Sequence, residues 1–332
     1  MIAPQETLVA GYLSVKPEVD VSVLVVNYNT AHLLAPMFDA LNASTGGLQV
    51  QTILVDNASR DGSVDHIRQH YPDLPLIVNP TNVGFGRANN QCLPLVQGRY
   101  VLLLNTDAFV APDTLSTTVA YLDQHPKVGA VGVRLLSRDG TLQPSCRYFP
   151  TPLNTFLTRV GLQKLMPWVR PVDDLSWDHL QTRACDWVPG CYFLMRTDLI
   201  RQIGLFDPLY FLYSEEVDLC QRIKAAGYAV HYLGQVSTTH IGGESAKSDG
   251  ALSGGRQISA LQIESELLYY RKHHGLPGVL LHTVLGVVGD AILALKATLK
   301  GQPQWLNSAT WQTTRELWRL LRETQIGLRP TR

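Results

Sequence analysis

The amino-acid sequence predicts an α/β protein with a doubly wound, mostly parallel sheet and a helical C-terminal region. In the first third of the chain, short aliphatic and β-branched runs alternate with segments of helical spacing. These runs are apolar almost throughout, as in parallel strands that helices cover on both faces. Beyond residue 255 only helical spacing is found. We therefore expect two units, residues 1–255 and residues 256–332.

The alternation begins at residue 21 and continues for about eighty residues. The predicted strands are Val21–Asn27, Val50–Asp56, Leu76–Asn79 and Tyr100–Asn105. The predicted helices between them are Ala31–Leu41, Ser63–His70 and Arg87–Val96. Asn27, Asp56, Asn79 and Asp107 fall at the carboxyl ends of the four strands. Because doubly wound sheets bind ligands beyond those ends, we expect one site along this edge.

The second half of the chain is less regular. From Val128 the alternation loosens, and aromatic, proline and arginine residues become frequent between residues 140 and 190. Ser214 is a candidate N-cap for a helix that ends near Gly227. A predicted strand, Tyr228–Leu233, then leads to His240. The predicted C-terminal helices are Ile258–His274, Val279–Leu299 and Ser308–Glu323.

Composition excludes several classes of function. The 28 basic and 28 acidic residues balance, which argues against a nucleic-acid partner. The five cysteines are odd in number and form no CxxC pair, so we expect reduced thiols in a cytosolic protein, without a disulfide framework or a zinc site.

The first twenty residues do not have the pattern of a signal peptide. The apolar stretch from 278 to 297 contains His282, Asp290 and Lys296, which favours a buried or membrane-surface helix over a span.

Two loops of the first half are candidates for nucleotide binding. Asp56, at the end of the second strand, can hold a nucleobase or ribose, or it can close an Asx turn before the next helix. After the third strand, glycines at 84 and 86 permit close approach of the backbone to a ligand, and Arg87 can meet a phosphate. A third glycine at the spacing of a dinucleotide fingerprint is missing, which argues against a nicotinamide site.

Acidic residues at two places can supply chemistry. Asp107 is a candidate Mg²⁺ or Mn²⁺ ligand on a diphosphate, with a helix N-cap as the alternative. His240 can complete the metal site or serve a structural role. Glu215, Glu216 and Asp218 follow an aromatic run at the start of a helix. One of them can act as a general base, or all three can stabilise the positive end of the helix.

Five short motifs, spread over residues 21–243, occur in the order in which a known family has them. Together they resemble a family 2 glycosyltransferase of the GT-A fold, and more narrowly the bacterial rhamnosyltransferase branch that builds cell-surface polysaccharides. The motifs are Val25-Val26-Asn27-Tyr28-Asn29, Val55-Asp56-Asn57-Ala58-Ser59, Asn82-Val83-Gly84-Phe85-Gly86, Leu104-Asn105-Thr106-Asp107 and Tyr213-Ser214-Glu215-Glu216-Val217-Asp218-Leu219.

The resemblance implies an inverting transfer from a nucleotide-diphosphate sugar with a divalent metal, Mg²⁺ or Mn²⁺, on the diphosphate. It implies that Asp56 contacts the base, that Arg87 contacts the phosphates or ribose, and that the acidic cluster supplies the base. Asp107 and His240 would hold the metal. The other residues expected at the donor site are Asn27, Asn57, Asn82, Asn105, Trp187 and Gly190.

The chain departs from the family pattern at two positions. The metal motif of the family is usually Asp-x-Asp or Asn-Pro-Asp, whereas Thr106 stands here in place of the proline. The family usually has Glu-Asp where this chain has Glu215-Glu216, which makes Glu216 the candidate base and Asp218 a group that can assist or replace it. On an ideal helix Glu216 is turned roughly 200° from Asp218, so the three acids cannot all face one hydroxyl unless the helix start is irregular.

The resemblance favours rhamnose from a dTDP carrier as the donor sugar, with a UDP-linked hexose or galactofuranose as the alternative. The acceptor would be a glycan or a lipid-linked saccharide. Two other functions stay open. One is a sugar-1-phosphate nucleotidyltransferase, although such enzymes usually have a Gly-rich basic loop after the first strand, where this chain has Asn27-Tyr28-Asn29-Thr30. The other is a non-catalytic protein that binds a nucleotide sugar.

The C-terminal helices are candidates for contact with the acceptor's environment. Their tryptophans and arginines can form a face for peripheral contact with the inner surface of the plasma membrane. A helical cap or a homo-oligomer contact is the alternative. The residues of this face are Trp305, Trp311, Trp318, Arg315, Arg319 and Arg322.

Overall fold

The structure is a computed structural model that describes residues 19–242, 256–301 and 311–332. For residues 256–259 it describes the backbone alone. Trp305, the N-terminal segment and the first residues of the predicted helix at 308 lie outside the described residues.

The first part of the chain alternates strand and helix as predicted. The elements of this part are β1 (Val21–Asn27), α1 (Ala31–Ala43), β2 (Val50–Asp56), α2 (Ser63–His70), β3 (Leu76–Val78), α3 (Phe85–Gln91) and β4 (Tyr100–Asn105). The predicted bounds of three of the strands are confirmed without a shift. Helix α3 is shorter than predicted because a 3-10 turn at Leu93–Leu95 follows it, and Pro94 in that turn has no N–H to continue an α-helix.

The second part adds strands that the sequence reading did not resolve. Its elements are β5 (Ala108–Val110), α4 (Thr114–Gln124), β6 (Val128–Leu136), β7 (Leu142–Gln143), α5 (Pro152–Val160), β8 (Arg183–Cys185), β9 (Tyr192–Arg196), α6 (Thr197–Ile203), α7 (Glu215–Ala225) and β10 (Ala229–His240). The C-terminal helices are α8 (Arg256–Leu299) and α9 (Gln312–Glu323).

The ten strands of the described residues join one sheet, with eight of them in the order β3-β2-β1-β4-β9-β6-β10-β5. Strands β3, β2, β1 and β4 are parallel to one another, and β6 is parallel to β10. Strand β9 runs antiparallel between β4 and β6 and thereby joins the two parallel blocks. The α/β class with a mostly parallel sheet is confirmed, and the antiparallel strands β5, β7, β8 and β9 were not predicted.

Helices cover both faces of the sheet and form a core on each. One core packs α1 and α4 against β1, β4 and β6. The other packs α3, α6 and α7 against the opposite face and includes Leu267, Leu268, Tyr269 and Tyr270 of α8. The first half of α8 therefore shares a core with the sheet, and a domain boundary at residue 255 stays a prediction.

Helix α8 is interrupted at Gly275, where φ is 65° and ψ is −165°. That conformation is outside the helical region and suits glycine, so two helical halves meet there. The separate helices predicted over 258–274 and 279–299 correspond to these halves. The second half packs against α5 and α9 on one side.

Candidate active site

The carboxyl ends of the parallel strands open into a cleft with a volume of about 330 Å³. Its walls come from the ends of β1 and β4, the loops after β2 and β3, the segment before β9, the start of α7 and the end of β10. The predicted site residues that line it are Asn57, Asn82, Asn105, Asp107, Gly190, Glu215, Glu216 and His240. The topology thus brings together residues separated by almost two hundred positions in the sequence.

Behind the cleft, a buried hydrogen-bond network joins the ends of three strands. Asn27 donates to the Asp56 carboxylate at 2.8 Å and accepts from the Thr30 hydroxyl at 2.7 Å. The Thr30 and Thr106 hydroxyls are 2.8 Å apart. The second Asp56 oxygen accepts from the Ser59 amide at 2.9 Å, so both carboxylate oxygens are bonded. Asn27 and Asp56 are therefore placed to fix the strand ends, and Thr106, beside Asp107, belongs to the same network.

Three asparagines form a second row along the edge. Asn57 donates to Asn82 at 2.8 Å and accepts from Asn79 at 3.1 Å. The Asn82 side chain in turn accepts from the Gly84 amide at 2.9 Å. These bonds hold the loops after β2 and β3 against each other, with Asn57 and Asn82 on the cleft wall.

Gly84 makes possible the contact between this loop and the segment before α7. Its φ is +91°, and an added Cβ would lie 2.4 Å from the Phe211 carbonyl oxygen. That carbonyl accepts from the Phe85 amide at 3.0 Å. The glycine predicted to approach a ligand thus allows close approach of the protein's own backbone, which forms one wall of the cleft.

Asp107 and His240 face each other where β4 ends and β10 ends. The His240 Nε2 atom is 3.5 Å from Oδ1 of Asp107. The Gly242 amide donates to Oδ2 at 3.1 Å. On the far side of the ring, Nδ1 lies 2.9 Å from the Gln143 side-chain oxygen, which favours the tautomer with the Nε2 lone pair directed toward Asp107.

This donor set fits a divalent metal held mainly by a substrate diphosphate. Mg²⁺ and similar ions commonly take one or two protein ligands and complete their coordination with phosphate oxygens and water. Asp107 and His240 supply an oxygen and a nitrogen that suit such an arrangement. Across the described ranges, no cluster of three or more His, Cys, Asp or Glu offers an all-protein metal cage.

Two residues with positive φ lead into helix α7. Tyr213 has a φ of 72° and Ser214 a φ of 66°. Ser214 occupies the N-cap position, but its side chain makes no capping bond, contrary to the prediction. Non-glycine residues in this conformation carry strain and are frequent at functional sites. Directly after these two residues, Glu215 and Glu216 both lie on the cleft wall.

The two glutamates are desolvated, and their carboxyl groups interact. Burial raises the pKa of Glu215 well above its ordinary value, and the negative charge of Glu216 raises it further. One Glu215 oxygen is buried without a hydrogen-bond partner among the described residues. Burial also raises the pKa of Glu216, while its own amide, the charge of Arg147 and the Gly190 amide act in the opposite direction. Of the two carboxyl groups, Glu215 therefore holds a proton more readily, and Glu216 is the one that ionises more readily.

Asp218 lies one turn further along α7 and faces helix α8 instead of the cleft. Its carboxylate is fully buried and lies within 2.6 Å of the Lys272 ammonium and 2.7 Å of His273 Nε2. The Arg222 guanidinium donates to its other oxygen at 2.8 Å. Against the effect of burial, these partners lower the pKa of Asp218 to about 2. A carboxylate with so low a pKa and three partners is a poor proton acceptor but a strong link between α7 and α8.

Two further residues predicted at the site point toward other segments of the same chain instead of into the cleft. Arg87 donates to the main-chain oxygens of Pro208 at 2.9 Å and Arg332 at 3.0 Å. Trp187 is buried and donates to the Tyr148 carbonyl at 2.9 Å, with the Arg147 guanidinium 4.6 Å from its ring centre. In this structure they support the walls of the cleft from behind.

Sequence reasoning missed the aromatic side of the cleft. Tyr28, Phe85, Phe211 and Tyr213 line it, together with Pro189. The aromatic run before Glu215 was visible in the sequence, but its partners across the cleft follow only from the fold. Such rings give a largely apolar pocket in which a few polar groups set orientation.

Part of this chain matches a known family model, and curated proteins resemble most of its length. Residues 22–177 match the family model for glycosyl transferase family 2. The N-acetylglucosaminyl-diphospho-decaprenol L-rhamnosyltransferase of Mycobacterium tuberculosis (strain H37Rv) is 27% identical over 255 residues, which cover 69% of this chain and 78% of that protein. The rhamnosyltransferase WbbL of Escherichia coli (strain K12) is 28% identical over 233 residues, which cover 66% and 83%.

Solved structures of glycosyltransferases share the fold. The mannosyltransferase PcManGT from Pyrobaculum calidifontis, in complex with GDP-Man and Mn²⁺, has a TM-score of 0.50 at 18% identity and covers 93% of this chain and 86% of its own. GalNAc-T7 with UDP, GalNAc and Mn²⁺ has a TM-score of 0.54 at 13% identity, over 76% of this chain and 48% of its own. These likenesses establish the GT-A fold.

Proposed function

We propose that this chain is a glycosyltransferase of the rhamnosyltransferase-like kind. Its residues 22–177 match the glycosyl transferase family 2 model, and two of its curated relatives are rhamnosyltransferases. The proposed reaction is the inverting transfer of a sugar, L-rhamnose by first choice, from a nucleotide diphosphate to a hydroxyl of a glycan or lipid-linked acceptor. The names of the two curated relatives support rhamnose. One of those names also describes a sugar-diphospho-lipid. It supports a lipid-linked acceptor for this chain and a cytoplasmic enzyme that acts at the membrane.

One observation carries the proposal. A candidate metal site and a carboxylate suited to accept a proton line the same cleft, of about 330 Å³, at the carboxyl edge of the sheet. Asp107 and His240 stand at one part of this cleft, and Glu215 and Glu216 at the start of α7. A glycosyl transfer needs charge stabilisation at the leaving diphosphate and a base at the attacking hydroxyl.

The donor would lie along the asparagine row, with its diphosphate toward Asp107. Asn57, Asn82 and Asn105 offer amide groups to the nucleotide, while the aromatic side chains of Tyr28 and Phe85 offer flat surfaces. Asp107 and His240 would hold Mg²⁺ or Mn²⁺, which when bound would neutralise charge on the diphosphate. Asn27 and Asp56 would keep the strand ends in register behind these contacts.

Glu216 is the proposed base. It takes the proton of the acceptor hydroxyl, and the oxygen forms a bond to the anomeric carbon as the bond from that carbon to the diphosphate breaks. The electron pair of the broken bond leaves with the diphosphate, and the anomeric centre is inverted. Glu215 stays protonated beside it and, being neutral, leaves the negative charge on Glu216.

Donor identity is tested by thermal stabilisation with dTDP, UDP, GDP and their sugars, with and without Mn²⁺. A ligand at a hundred times its dissociation constant adds about 2.7 kcal/mol of stability. A metal-dependent shift with dTDP compounds supports the rhamnosyl assignment. A shift selective for UDP compounds points to a hexose or galactofuranose donor, and no shift with any nucleotide contradicts a nucleotide-sugar site.

Glu216→Gln tests the base. The loss of general-base assistance should lower kcat by ~10²- to 10⁴-fold while donor binding is retained. Glu215→Gln is the matched control, because glutamine resembles a protonated glutamate in shape and charge. That variant should keep kcat within about fivefold. Near-normal turnover of Glu216→Gln would refute the assignment.

A further inference from the structure

The second half of α8 carries an exposed apolar stripe. Seven aliphatic side chains on this half are exposed over 40% to 79% of their surface. At 3.6 residues per turn they lie within an arc of roughly 140° and extend along roughly 35 Å of helix. They are Leu276, Leu280, Leu281, Val284, Val288, Leu295 and Leu299. A continuous apolar surface of this kind on a folded protein indicates an interaction site.

The other side of the same helix is tied to the protein by polar contacts. Asp290 is buried, forms an ion pair with Arg159 of α5 and accepts from the Thr314 amide of α9 at 2.9 Å. By length and composition the helix is apolar enough to cross a membrane. A span would, however, place α5, α9 and this ion pair in the hydrocarbon region. The helix is therefore suited to lie along a membrane surface with only its stripe in contact with lipid.

The loop after α5 begins beside the C-terminal part of α8 and carries two exposed apolar side chains. The Lys296 ammonium donates to the Val160 carbonyl, which brings the ends of the two helices together. In the loop that follows Val160, Trp168 is 75% exposed and Leu165 is 69% exposed. Tryptophan is enriched where protein meets the membrane interface.

Charge at this end favours an anionic surface. Lys164 and Arg170 of the loop after α5 are exposed, as is Lys300 at the end of α8. Residues 161–172 contain no acidic residue, and Asp290 is the only one within residues 276–301. Since the Asp290 charge is paired and buried, the exposed charges of these two segments are positive. Basic residues at an interface bind anionic lipid headgroups.

We propose that the α8 stripe, with Leu165 and Trp168, docks on an anionic lipid bilayer, with the second half of α8 in the plane of the membrane. The purpose of this docking, which is to hold the cleft near a lipid-linked acceptor, rests on the proposed function. The sequence predicted a membrane face formed by C-terminal tryptophans and arginines, whereas the membrane contact is assigned here to α8. In α9, Arg319 is already paired with Glu316 and Glu323.

The experiment is co-sedimentation of the full chain with vesicles of phosphatidylcholine that contain a minority of phosphatidylglycerol. Val284→Asp and Val288→Asp should each lower the partition coefficient at least ~10-fold, since each takes an aliphatic side chain out of the contact. Lys300→Glu should lower it about fivefold or more, with a weaker effect at high salt. The control is Leu95→Asp, at a leucine that is 41% exposed on the 3-10 turn before β4.

Binding by the wild type and by the control, and its loss in the stripe variants, supports the proposal. It is overturned if the wild type stays in the supernatant or if the stripe variants bind as the wild type does. It is also overturned if sedimentation velocity without lipid shows a dimer that the stripe substitutions dissociate, because the stripe is then an interface between two copies. Vesicle binding needs no donor or acceptor, so a failed transfer assay with intact vesicle binding contradicts the proposed function alone.

Discussion

Asp218→Asn separates a structural role from a catalytic one within the acidic cluster. The side chain is fully buried and has Lys272, His273 and Arg222 as partners. Asparagine keeps the size of the side chain and one acceptor oxygen but removes the charge. Because Asp218 lies outside the cleft and Glu216 lines it, we expect the substitution to lower stability and to leave the chemical step largely intact.

The size of the effect follows from the pKa of Asp218. A fall from 3.8 to about 2 corresponds to about 2 kcal/mol of preferential stabilisation of the carboxylate in the folded protein. Removal of one member of a fully buried pair can cost about 3–5 kcal/mol, when the remaining charge stays desolvated. Lys272 and Arg222 are 30% and 22% exposed and can regain water, which favours a loss near 2 kcal/mol.

The assay is urea unfolding followed by tryptophan fluorescence across the acidic range. A carboxyl whose folded pKa is depressed contributes stability above its unfolded pKa, and that contribution is lost as the pH falls through the folded pKa. The difference between wild type and Asp218→Asn should therefore be full above pH 5 and should shrink between pH 4 and pH 2. The control is Glu323→Gln, which breaks an exposed ion pair of the same i,i+4 spacing and should cost less than about 0.5 kcal/mol.

Two results would refute this reasoning. One is a pH-independent loss of stability, which would show that the carboxylate charge is not the source. The other is a loss of kcat of about a hundredfold or more at unchanged stability, which is the size expected for a lost general base.

Two further predictions concern Gly84 and Glu266. Gly84→Ala should destabilise the protein by more than the ~1–3 kcal/mol of left-handed strain, because its Cβ would also meet the Phe211 carbonyl. Gly62→Ala is the control in the same unfolding assay, because Gly62 has a φ of +83° but open space around an added Cβ. Equal losses of stability in the two variants would exclude a contribution from the clash with the Phe211 carbonyl. Glu266 lines a second cavity of about 410 Å³ between α5, α8 and α9, where burial raises its pKa to about 7. Its folded pKa is the higher one, so wild-type stability should fall as the pH rises from 4.5 to 7, and Glu266→Gln should gain up to about 3 kcal/mol over that range. A pH-independent difference in urea unfolding would contradict this.

The half of the candidate site at the strand ends was predictable because parallel strands can be recognised from the local sequence. Each of β1, β2 and β4 is an uninterrupted apolar run that ends in polar residues, and the carboxyl ends of parallel strands meet at one edge. This reasoning placed Asp107 on a common site, and the family resemblance added Asn57 and Asn105, which line the same cleft. It also made Asp56 a candidate contact with the base, whereas in the structure its carboxylate is bonded to Asn27 and Ser59.

The second half was less predictable because its key contacts are tertiary. Strand β9 is five residues long, and its antiparallel direction depends on its neighbours β4 and β6. Asp218 follows Glu216 by two positions, and only the packing of α8 against α7 shows that its carboxylate is neutralised by Lys272 and His273. Likewise, Trp187 is aromatic and lies near Gly190 in sequence, but its ring packs against Arg147 behind the cleft wall.

The division of charge between Glu215 and Glu216 has a consequence for the pH dependence of transfer. If Glu215 holds the shared proton, its substitution removes no negative charge from the neighbourhood of Glu216. The acidic limb of the kcat profile, which reports ionisation of Glu216 in the bound enzyme, should then lie above the ordinary glutamate range in the wild type, because burial raises this pKa. In Glu215→Gln the limb should move by less than about half a pH unit. Were Glu215 ionised instead, the same substitution would delete an adjacent negative charge in a desolvated site and lower the limb by about one unit or more. A shift of that size in stopped assays across pH 4 to 8 would reverse the assignment and make Glu215 the charged member of the pair.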